Sequence, residues 1–402
     1  MRKLVLLAVI MCIGGLSSLS AERCMAGAPE REFRAAWVTA WSNGFLSPEQ
    51  ADETIRLAAK ANLNAILVQV RKVGDAYYDS AYEPRGDNII AGGDYDPLAY
   101  MIEKGHAAGL EVHAWINVFR VWRSEDSALE PCHVTVKHPE WLNKTRTGKV
   151  SASDGNFLDP GIPEVKNYVA DIVTDLLSKY DVDGIHLDYI RYPGQDFGYS
   201  PTSIYKFNEF FGRAGRPRND DPEWCQWRRD QVTQTLRKIY HVIRAVKPAV
   251  KLTVAGIPWG ECPFSFEQSA AYRTVYQDWA GWLREGIVDA CVPMNYRDQR
   301  NPDQARAYYD WLDGMCRWKA NRLVYAGLMV GADVEAAVQQ IKISRNAGLD
   351  GVVAFAFNAA PWRENLVDAL RTEVFQAPAE TPPMPWKSEQ TQVASAEEPK
   401  GG

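Results

Sequence analysis

The run DGIHLDYIRYP, Asp183 to Pro193, carries the residue types and spacing that most suggest chemistry. It follows a helical pattern and reads as a strand, so His186 and Asp188 point to the same side of that strand. A carboxylate inside a folded chain is unfavourable unless it is paired or hydrogen-bonded. The pattern therefore predicts either a structural ion pair between Asp188 and Arg191 or a catalytic carboxylate at the end of the strand.

A second carboxylate, Glu261, follows the next predicted strand along the chain. Neighbouring parallel strands are about 4.8 Å apart, so the two acids can reach the separation that glycosidic bond cleavage requires. Glu261 has apolar neighbours, including Trp259, and is predicted to be the general acid. Asp188, beside a cationic residue, is predicted to stay ionised as the nucleophile or charge stabiliser. The alternative interpretation of Glu261 is an exposed carboxylate on a loop. Asp159 and Glu267 are then the next candidates for a catalytic acid.

Amides and aromatic side chains cluster at the predicted strand ends, and they suit a ligand rich in hydroxyl groups. Each sugar hydroxyl both donates and accepts hydrogen bonds, which amides can match, while Trp and Tyr can cover the apolar faces of sugar rings. For any one aromatic residue, packing in the core is an equally open interpretation. The predicted substrate-binding residues are Trp37, Gln69, Arg71, Trp115, Asn117, His186, Arg191, Tyr192, Trp259, Asn295, Tyr296 and Asn358.

The elements that must position these residues alternate regularly between apolar strands and helical patterns. Eight such units predict a closed (β/α)8 TIM-like barrel. An open doubly wound sheet is the alternative, but the turn after the first strand, WVTAWSNGF, lacks the Gly-rich phosphate-binding pattern of that class. The predicted strands are Arg34–Trp41, Ala65–Arg71, Glu111–Phe119, Gly184–Tyr189, Lys251–Ile257, Val288–Tyr296, Leu323–Val330 and Gly351–Asn358.

Two long insertions follow the third and fourth predicted strands, at Arg120–Ile162 and Gly194–Pro222. Both fall on the C-terminal face of the barrel, where active sites of this fold lie. They are predicted to form the walls of a substrate cleft, with Trp122, Trp141 and the run Asp154–Asp159 in the first of them. A role in packing is the alternative.

The two ends of the chain differ in composition from the middle. Arg2 and Lys3 precede an apolar run from Leu4 to Leu16 and then small residues, which is the order of a secretory signal. This run is too short to predict a permanent membrane span, so an exported protein of the periplasm or cell envelope is expected. The chain is divided into a signal peptide at 1–28, a barrel at 29–375 and a polar, Pro-rich, disordered tail at 376–402.

The net charge and the spacing of cysteine and histidine argue against nucleic acid and metal ions as partners. The net charge of -6 gives no reason to expect nucleic acid. The seven cysteines form no CxxC pair, and the six histidines form no HxH pair, so neither a metal nor a cofactor is predicted. A metal-dependent hydrolase is the weaker alternative function, and a non-catalytic glycan-binding barrel is the other.

Three stretches carry a family resemblance. The run Leu158–Pro193, the opening REFRAAWVTAW and the run Ala65–Pro84 resemble the glycosyl-hydrolase-like family 10 proteins over roughly Arg31 to Ala369. The resemblance implies a TIM-like barrel in exported bacterial proteins that act on polysaccharide, some of them on peptidoglycan glycan strands. Many relatives have two adjacent acidic residues where this chain has Leu187-Asp188. A chitinase-like pattern would need Glu at position 190, where the chain has Ile.

Overall fold

The computed structural model describes residues 29–122, 130–330, 333–360 and 363–387. The predicted signal peptide at 1–28 lies outside the described residues, as does the tail from 388 onward. Within the described ranges, no helix combines the length and the apolar character needed to cross a membrane.

Eight parallel strands close into a barrel, and this confirms the predicted architecture over an open sheet. The strands in chain order are β1 (Phe33–Val38), β2 (Ala65–Arg71), β3 (Glu111–Asn117), β4 (Arg120–Trp122), β5 (Ser151–Ala152), β6 (Gly155–Phe157), β7 (Gly184–Asp188), β8 (Lys251–Gly256), β9 (Ala290–Pro293), β10 (Leu323–Met329) and β11 (Gly351–Phe355). Around the barrel the order is β1, β2, β3, β7, β8, β9, β10, β11 and back to β1.

Helices connect the barrel strands, and several begin at a residue whose side chain caps the first turn. The Ser47 side chain accepts from the backbone N–H of Gln50, and Asp96 accepts from that of Ala99. The helices are α1 (Pro48–Lys60), α2 (Pro97–Ala107), α3 (Val134–Lys137), α4 (Pro163–Lys179), α5 (Pro201–Phe211), α6 (Pro222–Val246), α7 (Ala270–Arg273), α8 (Trp279–Glu285), α9 (Pro302–Trp318), α10 (Val334–Asn346) and α11 (Arg363–Ala369).

The strands separate two apolar cores because successive side chains point to opposite faces. Along β1, Phe33, Ala35 and Trp37 belong to the cluster inside the barrel. Ala36 and Val38 belong to the larger cluster between the strands and the helices. The same alternation along the other strands directs one side chain in two toward the barrel axis.

Both predicted insertions lie at the C-terminal ends of the strands and pack against each other. The first contains the small sheet β4-β6-β5, and the second contains α5. Thr145 of the first forms a β-bridge with Phe197 of the second, and the Gly198 N–H donates to the Asn143 side chain at 2.7 Å. The two insertions therefore form one continuous rim structure.

The packed chain continues past the predicted boundary at Phe375. Residues 376–387 lie across the N-terminal ends of the barrel strands, where the Glu32 N–H donates to the Glu380 carbonyl at 2.9 Å. Trp386 donates to the Asp289 carboxylate at 2.7 Å, and the Lys387 ammonium donates to the Val250 carbonyl at 2.7 Å. The Pro-rich composition gave no periodic signal, so these contacts with distant residues could not be predicted.

Candidate active site

Two adjoining cavities open at the C-terminal ends of the barrel strands, with volumes of about 250 Å3 and 350 Å3. They share four lining residues, Asp188, Tyr189, Met294 and Tyr296, and so form one cleft. We call the smaller cavity the inner lobe and the larger cavity the outer lobe. The inner lobe is also lined by Trp37, Thr39, Trp41, Gln69, Trp115, Asn117, Arg120 and Phe355, and the outer lobe by Asp154, Arg191, Ile257, Trp259 and Arg297.

Stacked and edge-on rings form the walls of the inner lobe. Tyr296 stacks on Phe355 at a ring-centre distance of 5.4 Å, and its edge meets Trp37 at 6.5 Å. Burial is the main cause that raises the pKa of Tyr296 well above 10, so its hydroxyl stays neutral and able to donate. Packed rings of this kind give a rigid surface that can cover the flat face of a sugar.

Trp37 is held in place from beneath by His186, a residue that the sequence assigns to substrate binding. The Trp37 indole N–H donates to His186 Nε2 at 3.0 Å, so Nδ1 carries the ring proton and donates to the Thr253 hydroxyl at 2.8 Å. Burial, followed by the charge of His113, lowers the pKa of His186 well below 6.5. His186 is therefore a neutral, fully buried support for Trp37 and does not line the cleft.

Asp188 ends β7 on the floor of the cleft and is 7% exposed. The Tyr189 N–H donates to its Oδ1 at 2.6 Å. Burial raises the pKa of Asp188, against the lowering effects of Arg191, the Tyr189 N–H, Arg120 and Trp115 in decreasing order. The sequence predicted that a cationic neighbour keeps this carboxylate ionised. Desolvation has the larger effect, because the side chain is nearly closed to water.

Asp154 supplies a second carboxylate to the cleft from the turn between β5 and β6. Its Oδ2 lies 3.2 Å from Arg191 Nη2, and its backbone carbonyl accepts from Arg120 Nε at 2.6 Å. About one third of its side chain is exposed. The run Asp154–Asp159 was predicted as a cleft wall, and its first residue contributes the charge.

The three other acids that were candidates from the sequence do not line the cleft. Glu261 is exposed and is absent from the lining of both lobes. Glu267 is also exposed, with its side chain bonded to the Ser265 hydroxyl. Asp159 is fully buried and accepts from the Gly161 N–H at 2.9 Å, so it holds the start of the segment leading into α4.

Seven of the predicted binding residues line the cleft. The Gln69 amide oxygen accepts from the Thr39 hydroxyl at 3.0 Å, and the Asn117 amide donates to the Lys72 carbonyl at 2.7 Å. These bonds fix the orientation of both amides before any ligand arrives. The seven are Trp37, Gln69, Trp115, Asn117, Arg191, Trp259 and Tyr296.

Arg71 does not line the cleft, although the alternation along β2 predicted that it would. The register with β3 shifts between Gln69 and Arg71, which is a β-bulge that breaks the two-residue period. The Arg71 guanidinium is buried against the Glu83 carboxylate at 2.6 Å and donates to the Val118 carbonyl at 3.0 Å. It therefore fixes the start of the insertion after β3.

Three further predicted binding residues do not line the cleft and have structural contacts instead. Asn295 lies past the end of β9, is fully buried and donates to the Tyr308 carbonyl of α9 at 3.1 Å. Asn358 accepts from the Thr39 N–H at 2.9 Å and so joins the segments after β1 and β11. Tyr192 is fully buried, with its hydroxyl 3.4 Å from Asp159.

Several residues that complete the cleft were not predicted from the sequence. Arg120 and Arg297 bring cationic groups, and Arg120 lies over the rings of Trp41 and Tyr189 at 5.5 Å and 5.3 Å. Tyr189 has a φ of 50°, a left-handed conformation that a bulky residue rarely adopts. Arg120 follows β3 by three residues, so the position of a strand end could have identified it.

In the parts of the chain that the structure describes, no three His, Cys, Asp or Glu side chains come close enough together to hold a metal ion. The cysteines of those parts, Cys132, Cys225, Cys262, Cys291 and Cys316, are all free thiols.

The barrel and its rim cleft define the chain as a TIM-barrel protein whose structural neighbours are glycoside hydrolases. The glycoside hydrolase domain of PgaB (BpsB) from Bordetella bronchiseptica superposes with a TM-score of 0.64 at 14% identity, covering 86% of this chain and 100% of that domain. The catalytic domain of β-amylase from Paenibacillus polymyxa superposes with a TM-score of 0.59 at 14% identity, covering 93% of this chain and 100% of that domain. At these identities the likeness establishes the fold.

Sequence comparison identifies the family. Residues 32–343 match Glycosyl hydrolase-like 10, and the chain belongs to that family. Glycosyl hydrolase YngK of Bacillus subtilis is 30% identical over 89% of this chain and 74% of its own length. Glycosyl hydrolase DigH of Escherichia coli K12 is 31% identical over 59% of this chain and 55% of its own length, so the match spans about half of that relative.

Proposed function

We propose that this chain hydrolyses O-glycosidic bonds in a polysaccharide, with Asp188 as the proton donor and Asp154 as its partner carboxylate. One observation carries the proposal: a nearly buried carboxyl group with a raised pKa lies on the floor of an aromatic cleft at the C-terminal face of the barrel. Membership in a glycosyl-hydrolase-like family supports the reaction class.

The chemistry needs two carboxyl groups in different protonation states. A raised pKa keeps a proton on Asp188 at higher pH, which suits donation to the leaving oxygen. Asp154 is ion-paired with Arg191 and accessible to water, which suits activation of a water molecule or direct attack on the sugar. Arg191 contacts one acid and lowers the pKa of the other, so it links the two groups.

The aromatic walls suit sugar rings, and the oriented amides of Gln69 and Asn117 suit hydroxyl groups. We further propose that the chain is exported and acts in the cell envelope, on the basis of the signal-like composition of residues 1–28. Peptidoglycan glycan strands freed of their peptides are therefore the first polysaccharide to test, within a panel of neutral and charged glycans.

The test compares three variants on any glycan that the unaltered protein cleaves, with product masses as the readout. Asp188→Asn and Asp154→Asn should each lower turnover by at least about 100-fold, because proton transfer by a positioned group typically contributes that much. Glu261→Gln is the matched control and should retain near-normal turnover.

Loss of turnover in Glu261→Gln, with near-normal turnover in Asp154→Asn, would restore the assignment made from sequence. Tight glycan binding by the unaltered protein without cleavage of any member of the panel would favour the non-catalytic glycan-binding barrel.

A further inference from the structure

The outer lobe contains two arginines whose N–H groups are only partly hydrogen-bonded to other described residues. Arg191 and Arg297 both line this cavity. The Nε atom of each is buried and has no hydrogen-bond partner within the described chain. Buried guanidinium N–H groups are almost always bonded, so an unpartnered one in each of two arginines that line a single cavity calls for an acceptor that the described chain does not supply.

Arg297 also lacks an acidic partner among the described residues. Its Nη2 donates to the Pro258 carbonyl at 2.8 Å and to the Gly260 carbonyl at 3.0 Å, which fixes the side chain against the wall of the lobe. No carboxylate of the described ranges lies within 4 Å of it, in contrast with the next arginine, Arg300, which pairs with Asp298 at 2.9 Å. Desolvation lowers the pKa of Arg297. A half-buried cation without a counter-charge is an unfavourable arrangement that an anion would relieve.

Arg191 is 5% exposed and is held rigidly in the same lobe. Its guanidinium lies over the Tyr189 ring at 4.7 Å and over the Trp259 ring at 5.2 Å. Its Nη2 is bonded to Asp154 at 3.2 Å, which leaves Nε for another acceptor. The ring contacts fix the plane of the fork, so an incoming anion would meet a donor that is already oriented.

We propose that the outer lobe is a subsite for a carboxylate carried by a sugar of the substrate, which accepts hydrogen bonds from Arg297 and Arg191. This rests on the proposed function, because it assumes that the cleft binds a glycan. The guanidinium fork matches a planar carboxylate. A doubly charged phosphate would be repelled more strongly by Asp154, which lines the same lobe. The substrate class is therefore an acidic glycan with one carboxylate next to the ring that covers Asp188.

The experiment measures binding, so that it does not depend on cleavage. The probes are peptide-free peptidoglycan strands, which carry a carboxylate on alternate sugars, and the same strands with those carboxyl groups reduced to alcohols. Calorimetry gives the Kd for each, with Asp188→Asn as the host protein to prevent turnover. We expect the carboxylated strands to bind at least about tenfold more tightly, which is the contribution of one charge-assisted hydrogen bond.

Three variants in this host locate the effect. Arg297→Gln should weaken binding of the carboxylated strands about tenfold and leave the reduced strands unchanged. Arg297→Lys keeps the charge without the fork and should give a smaller loss. Arg300→Gln, which removes the exposed neighbouring arginine already paired with Asp298, should change neither Kd. Melting temperatures confirm that each variant is folded.

Equal Kd values for the two strand forms, or equal weakening of both by Arg297→Gln, would overturn the subsite. Reduced strands that are then sulfated provide the last arm, and tighter binding of these than of the carboxylated strands would overturn the choice of carboxylate. Cleavage of neutral glycans with no preference for acidic ones would remove the subsite and leave the proposed function. Tighter binding of the carboxylated strands by a protein that cleaves no glycan would support the subsite and contradict the proposed hydrolysis.

Discussion

The two rims of the barrel use charged residues in opposite ways. At the N-terminal rim the buried acids bond to several partners at once, and the chain from 376 to 387 covers them. At the C-terminal rim Asp188 is buried with its pKa raised, and two arginines have N–H groups that donate to no residue the structure describes. The first arrangement stabilises the fold. The second leaves interactions available for a ligand, as expected where a barrel has its binding face.

Two acids, one from each rim, illustrate the difference. Glu111, at the start of β3, accepts from Lys251 at 2.5 Å, from the Thr381 hydroxyl at 2.9 Å and from His113 at 3.1 Å. These partners outweigh its burial and lower its pKa to about 2. Asp188 is more fully buried, at 7% exposed, and its neighbours lower its pKa by less than burial raises it. The balance between partners and desolvation, rather than burial itself, distinguishes the two rims.

Removing the charge of Asp289 should have the largest effect on stability. This acid, 1% exposed, accepts from the Leu252 N–H at 2.7 Å and pairs with Lys387 at 2.8 Å. In Asp289→Asn the largely buried Lys387 ammonium would lose its ion pair with Asp289, so the free energy of unfolding should fall by about 3 to 5 kcal/mol. Urea unfolding measures this, with the partly exposed Asp298→Asn as the control. A fall below about 1 kcal/mol would mean that this rim is not stabilised by the pair.

Glu111→Gln should have a smaller effect, and one that depends on pH. The native pKa of about 2 lies below the ordinary value of 4.5, so the ionised form stabilises the fold above pH 4.5 and this contribution is lost as pH falls toward 2. The variant should unfold about 1 to 2 kcal/mol more easily at pH 7 and lose less stability between pH 5 and pH 3.

Unfolding curves across that pH range provide the measurement, and exposed Glu103→Gln is the matched control. A variant whose stability falls in parallel with the unaltered protein would show that Glu111 is not the group that titrates.

Asp188→Asn should have the smallest effect on stability, and with the opposite sign. A raised native pKa means that folding becomes less favourable as pH rises from the ordinary value of 3.8 through the native pKa. The neutral amide avoids burying a charge, so the melting temperature should rise slightly at pH 7, and the gain should shrink toward pH 4. Calorimetric melting measures this, with Asp154→Asn, in the same cleft but one third exposed, as the control. A lower melting temperature at pH 7 would place Asp188 among the stabilising acids.

The architecture was accessible from the sequence because its signals are local. Alternating strands and helices predicted eight units, and the C-terminal ends of their strands had to share one rim. The two-residue period also directed Trp37, Trp115 and Asp188 toward the barrel axis, and all three line the cleft. Side-chain alternation follows from backbone geometry within a few residues, so a sequence pattern is sufficient to predict it.

The tertiary structure decided which second carboxylate and which cationic side chains line the cleft beside Asp188. Asp154 reaches the cleft through a turn of the small sheet, whose position depends on contacts between two insertions far apart in the chain. A single bulge turned Arg71 away from the cleft and into a pair with Glu83. The direction of the pKa shift of Asp188 also depends on how fully distant elements exclude water from it. Long-range packing and solvent exclusion have no periodic signature, so the sequence by itself determined the barrel and its face, and the folded chain decided which charges meet there.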